Sequence, residues 1–214
     1  MQGRDVGGGG GGGGSGPKAF DLNGSGIGLD VSLQGINMAI VSSVDWQGIQ
    51  QSDDFNLSVQ YNNAGAMCYM HGDAARAVAN YNQALRLAPD YKEAHCNMGV
   101  ALRSLKRHEE ACLHFQEALR VDPRYKQAHN YLGLALERDG ELDQAIRHYR
   151  AALAVDPEYK QANNNVASAL QRKGDFKGAI SHCHRALRAD PYYVEGHNTM
   201  GLVLQKKGSL DAAM

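Results

Sequence analysis

Nine histidines and four cysteines are the residues of this 214-residue chain best suited to chemistry, and their spacing argues against most of it. His95, His129 and His197 fall at one position of a 34-residue period, and His114, His148 and His182 at another. Equivalent side chains one period apart sit on packed helices whose axes are about 8–10 Å apart. Zinc holds its ligands at about 2.0–2.3 Å, so such histidines cannot share an ion. In the run His182-Cys183-His184 the neighbours point to different faces of a helix. Neither a metal nor a cofactor is expected. Cys68, Cys96, Cys112 and Cys183 show no C-x-x-C spacing, which fits reduced thiols in a cytoplasmic or nuclear protein. No paired carboxylates and no Cys–His or Ser–His–acid pattern stands out, so the chain reads as a non-enzyme. Gly24, Gly26 and Gly28 lack both the strand and the spacing of a dinucleotide fingerprint.

Recognition chemistry is better represented. Asn62, Asn63, Asn97, Asn130, Asn164, Asn165 and Asn198 recur with the same period, joined by Gln127 and Gln161. Asparagine is a poor helix former, so local stability does not explain it. An amide carries both donors and an acceptor, which suits the backbone of an extended peptide. The same groups could instead bond within the fold and align its repeats. Arg103, Arg138, Arg172 and Lys206 form a second series. They read either as a basic strip for acidic ligands or as cations complementing helix carboxyl ends.

The elements that must position these groups follow from punctuation. Pro89, Pro123, Pro157 and Pro191 are evenly spaced. Counting each unit from 1 at Ser58, Lys92, Lys126, Lys160 and Val194, position 8 is Gly65, Gly99, Gly133, Ala167 and Gly201. Position 20 is always alanine, position 24 reads Tyr81, Phe115, Tyr149, Cys183, and positions 27 and 28 are Ala-Leu in four units. Two helices per unit are expected. Position 15 (Gly72, Lys106, Gly140, Gly174, Gly208) ends the first, and Asp73, Asp175 and Ser209 cap the second. Lys106-Arg107 should give a less tightly specified turn. Asp-Pro pairs at 122–123, 156–157 and 190–191 stop the second helix. Small residues at 8 and 20 let the helices of a unit approach, and the large residues at 24 and 28 fill the space between neighbours.

This pattern resembles the tetratricopeptide repeat over about three quarters of the chain. The resemblance implies an all-α, right-handed superhelical solenoid of antiparallel helix pairs, with the first helices lining a concave groove. It implies a protein-interaction scaffold that binds an extended or helical peptide segment of another protein. The amides and basic residues named above, from Asn62 to Lys206, are then the peptide-binding set. The lysine and asparagine at positions 5 and 9 that chaperone-tail-binding relatives use are not found together here. The asparagine recurrence and the phrase Glu93-Ala94-His95-Cys96-Asn97-Met98-Gly99-Val100 are similar to the repeat arm of O-GlcNAc transferase and Spindly-type proteins. On that alternative the chain is a substrate-selecting arm without a catalytic domain, and Tyr131 and Thr199 depart from the ladder.

Composition bounds the rest. Residues 1–57 carry two basic and six acidic side chains, and residues 58–214 carry 20 and 17. Neither half is basic enough for nucleic acid to be the main partner. The longest apolar stretch, Ile36 to Val44, is too short to span a bilayer. Residues 1–17, with eight consecutive glycines, are expected to be a disordered tail, and 18–57 a largely disordered or weakly docked segment. Residues 58–214 form the repeat domain, as units 58–91, 92–125, 126–159, 160–193 and a partial unit 194–214. That last unit lacks most of its second helix, so it is expected to be completed by further chain or another molecule, or to self-associate through its uncapped end.

Overall fold

The computed structural model describes residues 46–211, with side chains from residue 52 onward. The expectations for 1–17, for 18–45 and for 212–214 lie outside the described residues. Nine helices follow one another among the described residues: α1 (Trp46–Met70), α2 (Ala74–Leu87), α3 (Lys92–Ser104), α4 (His108–Val121), α5 (Lys126–Arg138), α6 (Leu142–Val155), α7 (Lys160–Arg172), α8 (Phe176–Ala189) and α9 (Val194–Asp211). Odd-numbered helices are the first of each unit and even-numbered ones the second. The fold is the expected all-α solenoid of helix hairpins.

One boundary differs. Within the segment 18–57, expected to be largely disordered or weakly docked, α1 begins at Trp46. Between Trp46 and Ser58 no proline stops a helix and the one glycine, Gly48, lies in its first turn, so the first helix of unit 1 extends upstream of the repeat phase.

The turn inside each hairpin uses the left-handed conformation that glycine reaches without strain. Gly72, Gly140 and Gly174 have φ of 83°, 88° and 84°. Asp73 and Asp175 then cap α2 and α8, accepting hydrogen bonds from the Arg76 and Gly178 amides at 3.0 and 2.9 Å. The Lys106 turn is not looser, contrary to expectation. Lys106 takes φ 62°, and the Arg107 amide closes on the Leu102 carbonyl at 2.9 Å, as the Asp73 and Asp175 amides close on Cys68 and Leu170. Packing of α4 on α3 imposes the turn on a residue that resists it. A side chain in this region costs about 1–2 kcal/mol, so Lys106→Gly is expected to raise the unfolding free energy by about 1 kcal/mol after glycine's greater unfolded-state freedom is deducted. A urea titration showing lower stability would refute this.

The break expected at Gly208-Ser209 does not form. α9 runs through both, and the Ser209 hydroxyl donates to the Gln205 carbonyl at 2.6 Å. Among the described residues α9 packs on α7 and α8 but has no second helix of its own unit against it, so nothing offsets the helical hydrogen bonds that a reversal would give up.

The core is a column of alanines and rings. The alanines at positions 20 and 27 of the first four units are buried. A Cβ placed on Gly65 would lie 2.6 Å from the Tyr81 ring, and one on Gly99 2.5 Å from the Phe115 ring. Gly133 meets Tyr149 in the same way. The ring at position 24 thus fills a notch in its own unit, and does not only bridge neighbours as expected. Phe115 does both, since it also stacks on Tyr131 of the next unit with centroids 5.1 Å apart. Unit 4 holds Ala167 and Cys183 at these two positions, both fully buried in one core cluster, a larger residue and a smaller one.

A further brace closes the other end of each hairpin. Lys92, Lys126 and Lys160 open α3, α5 and α7, where the helix dipole disfavours a cation. Each pairs with the aspartate ending the second helix of its unit: Lys92–Asp122 and Lys126–Asp156 at 2.6 Å, Lys160–Asp190 at 2.5 Å. Each ammonium also lies 5.0–5.3 Å from the ring centre of Tyr125, Tyr159 or Tyr193. The lysine hydrogen bond holds each aspartate carboxyl below its ordinary range.

Candidate peptide groove on the first helices

Successive first helices touch: α1 with α3, α3 with α5, α5 with α7 and α7 with α9. No two second helices do. The stack therefore curves with the first helices inside, and side chains at positions 2, 5, 6, 9, 12 and 13 face the inner surface.

The asparagines divide into rungs. Asn97 donates its amide to the Asn62 side-chain oxygen at 3.0 Å, and Asn165 donates to Asn130 at 2.9 Å. Each bond runs from position 6 of one unit to position 5 of the unit before it. Asn62 and Asn130 are buried, so these two rungs tie units together. The rung between them is replaced by Cys96 and Tyr131. The next would join Asn164 to position 6 of unit 5, which is Thr199. There the Asn164 Oδ1 is buried with no hydrogen-bond partner among the described residues, because threonine does not supply the amide that asparagine supplies elsewhere. Asn63 and Asn198 are exposed.

At the missing middle rung the inner face opens into a hollow of about 350 Å³, walled by α1, α3 and α5. Tyr69, Met70, Val100 and Tyr131 supply apolar surface, and Asn97 and Gln127 supply amides. Met70 is 79% exposed and Met67 56%, unusual for side chains of that size. The Arg103 guanidinium lies 5.2 Å from the centre of the Tyr131 ring and forms no ion pair with the described residues. Burial pushes the Cys96 thiol in this wall up to about 12, so it stays protonated and unreactive. Burial likewise raises Cys183 to about 11, and raises Cys112.

The basic series is less uniform than its spacing. Arg138 pairs with Asp139 at 2.9 Å, and Arg172 reaches Glu137 at 3.2 Å. Arg103 is held by the ring, and Lys206 is exposed. Gln161 is half-buried on α7. The apolar lining residues Tyr69, Met70, Val100 and Tyr131 lie outside the polar series that points to this face. Their positions, 12, 13, 9 and 6, were the available signal.

The histidines meet within units, not between them. His95 Nδ1 lies 3.0 Å from His114 Nδ1, and His129 Nδ1 lies 3.1 Å from His148 Nδ1. The spacing of 19 residues, position 4 to position 23, is legible in the sequence, but the 34-residue period compares only equivalent positions of different units. Among the described residues, no group of three or more His, Cys, Asp or Glu is arranged to hold a metal ion. No helix among them is long and apolar enough to cross a membrane.

A curved stack of helix hairpins with a small residue notched against each partner helix, and an inner face left for contacts, defines a helical-repeat scaffold. Tetratricopeptide-repeat models match residues 65–102, 93–125, 113–146 and 135–194, and the chain belongs to the tetratricopeptide repeat family. Proteins of this family generally mediate protein–protein interaction, on a scaffold that is typically non-catalytic. No curated protein matches the chain. Among solved structures, PilF of Pseudomonas aeruginosa is 18% identical with a TM-score of 0.67, over 73% of this chain and 72% of that one. MamA from Desulfovibrio magneticus RS-1 is 21% identical with a TM-score of 0.61, over 73% and 88%. YrrB, described as a TPR protein with an unusual peptide-binding site, is 20% identical with a TM-score of 0.56, over 76% and 82%. At these identities the likeness concerns the fold.

Proposed function

We propose that this protein binds an extended peptide segment of a partner protein along its inner face, with an apolar side chain of the peptide anchored in the hollow between α1, α3 and α5. The observation that carries this is the hollow itself. Three successive first helices contribute to it, through side chains on their inner face. Arg103, fixed on Tyr131 without an ion-pair partner, favours an acidic residue beside the anchor. Gln127 and Asn97 offer hydrogen bonds to a peptide backbone, with Asn63, Asn164, Asn165, Asn198, Gln161, Arg138, Arg172 and Lys206 further along the face. Asn62 and Asn130 act through the rungs they brace. The peptide-binding description of YrrB is consistent with such a groove. The alternative, a glycosyltransferase's substrate-selecting arm, rests on the asparagine recurrence, and two of those rungs are used between units.

Selection of a displayed random-peptide library on the whole chain tests the proposal. Enriched peptides should carry an aromatic or long aliphatic residue close to Asp or Glu. Tyr131→Ala and Met70→Glu should each weaken a selected peptide by about tenfold or more, as for an anchoring contact. Met70 is too exposed to matter for folding. Failure to enrich, or affinity unchanged in both variants, would reject the groove as the site.

A further inference from the structure

Two units contain a partly buried His–His bond that tolerates one added proton but not two. His95 Nε2 lies 2.8 Å from the Pro89 carbonyl, and His129 Nε2 lies 3.1 Å from the Pro123 carbonyl. A carbonyl only accepts, so both Nε2 atoms carry hydrogen. In a neutral ring the Nδ1 is then a bare acceptor. His114 and His148 must therefore donate from Nδ1 across the 3.0 and 3.1 Å contacts. Unit 4 supports this proton map independently. Its position 4 is Asn163, whose amide nitrogen donates to the Pro157 carbonyl at 3.0 Å and whose oxygen accepts from His182 Nδ1 at 2.9 Å. Asparagine there makes the same two bonds as a neutral imidazole, but it cannot take a proton.

The consequence differs between units. One added proton leaves a dyad's bond standing on whichever ring it settles, because a single N–H still lies between the two Nδ1 atoms, and on His182 it goes to the outer Nε2. A second proton in a dyad puts hydrogen on both Nδ1 atoms. Two N–H groups and two charges then face each other over about 3 Å, and turning the ring to avoid this gives up the proline carbonyl. Unit 4 has no second step. We propose that the His95–His114 and His129–His148 dyads are acid-release clasps, which hold α3 to α4 and α5 to α6 near neutral pH and let those hairpins open in mild acid while the α7–α8 hairpin stays closed. This does not depend on the peptide groove.

The surroundings grade the two clasps. Burial, and then His95, pushes His114 down from its ordinary value; Glu110 and Glu117 pull the other way, and Arg107 adds to the depression. Burial, then His129 and then Arg147 depress His148, with no acid opposing. His182 is lowered by burial, Arg185 and Arg150, against Asp175. A depressed histidine costs nothing above its ordinary value near 6.5. As pH falls through that value, the unfolded chain takes up protons that the folded one refuses, and stability drops. All three units share this first loss. Only units 2 and 3 have the second step, and unit 3, with no compensating carboxylate, is the weaker clasp. A repeat array contacts only its neighbours, so a hairpin opens without unfolding the whole.

Hydrogen exchange by mass spectrometry on the whole chain, at about pH 7.5 and about pH 5.5 on either side of the histidine range, reads each hairpin separately. Parent and His95→Asn/His129→Asn chains are compared at the same pH, so intrinsic exchange rates cancel. In acid, protection of α3–α6 in the parent should fall at least about tenfold below that in the double variant, the factor for one pKa unit, while α7–α8 stays alike in both. Equal acid loss in parent and variant would overturn the proposal. Should the double variant fail to fold at neutral pH, Asn163→His supplies the converse. It should make α7–α8 acid-labile, and a hairpin that remains protected would overturn the proposal equally.

Discussion

Truncating Tyr149 to alanine is expected to lower the unfolding free energy by about 3–5 kcal/mol, the range for a large ring removed from a packed core. The side chain is fully buried and lies over Gly133, where even a Cβ would overlap it. Its hydroxyl donates to Glu137 Oε2 at 2.8 Å. Glu137 also accepts from Ser168 at 3.4 Å and pairs with Arg172 at 3.2 Å, so one ring ties the α5–α6 hairpin into the junction with α7. The loss is both a cavity and a weakened polar network. Unit 4 indicates how to separate the two. It holds Ala167 and Cys183 where unit 3 holds Gly133 and Tyr149, so the notch and its filler exchange volume. Tyr149→Cys should cost less than Tyr149→Ala, and Gly133→Ala alone should cost about 1–3 kcal/mol by overpacking. The two together should cost less than their sum, by a coupling of about 0.5–3 kcal/mol. Urea unfolding of the four chains measures the cycle, and strict additivity would show that the notch and ring are not the pair described.

The period exposed the hairpins and the core because each packing position repeats with one residue type. Glycine at 8, alanine at 20 and 27 and proline at 32 have one dominant physical reason each: close approach, close approach again, and chain termination. What stayed hidden lies in positions where two residues far apart in sequence act together. Lysine at 1 is unremarkable until the fold sets it against aspartate at 31 and tyrosine at 34 of the same hairpin. Histidines at 4 and 23 were judged one period apart, which is the wrong comparison for side chains that meet inside a unit. The Lys106 turn failed in another way: a local preference was overridden by the packing of α3 on α4. On the inner face, the polar recurrence marked one side of the first helices. It did not reveal that two asparagine rungs are spent on neighbouring units, nor that the departure at Tyr131 opens the hollow. Exceptions to the pattern carried more about the candidate site than the pattern did.

The second large effect concerns Asn163, where the repeat substitutes an amide for an imidazole. The side chain is fully buried. It donates to the Pro157 carbonyl at 3.0 Å, lies 3.4 Å from the Tyr159 carbonyl and accepts from His182 at 2.9 Å. Asn163→Ala leaves the Pro157 carbonyl and the half-buried His182 N–H without their part-buried hydrogen bonds. Leaving a buried polar group unsatisfied costs about 1–3 kcal/mol, and with two such groups the upper end is expected. Asn163→His should be far milder at neutral pH, because units 2 and 3 place histidine at the same position with both bonds intact. The ordering of these variants is the informative result. If size alone mattered at this site, the larger histidine would be the worse substitution in a tightly packed hairpin. If the paired hydrogen bonds matter, alanine is worse, and thermal melts at neutral pH rank the two directly. An equal or greater loss for histidine would mean that unit 4 has repacked around asparagine and that the proton map drawn from it does not transfer to units 2 and 3.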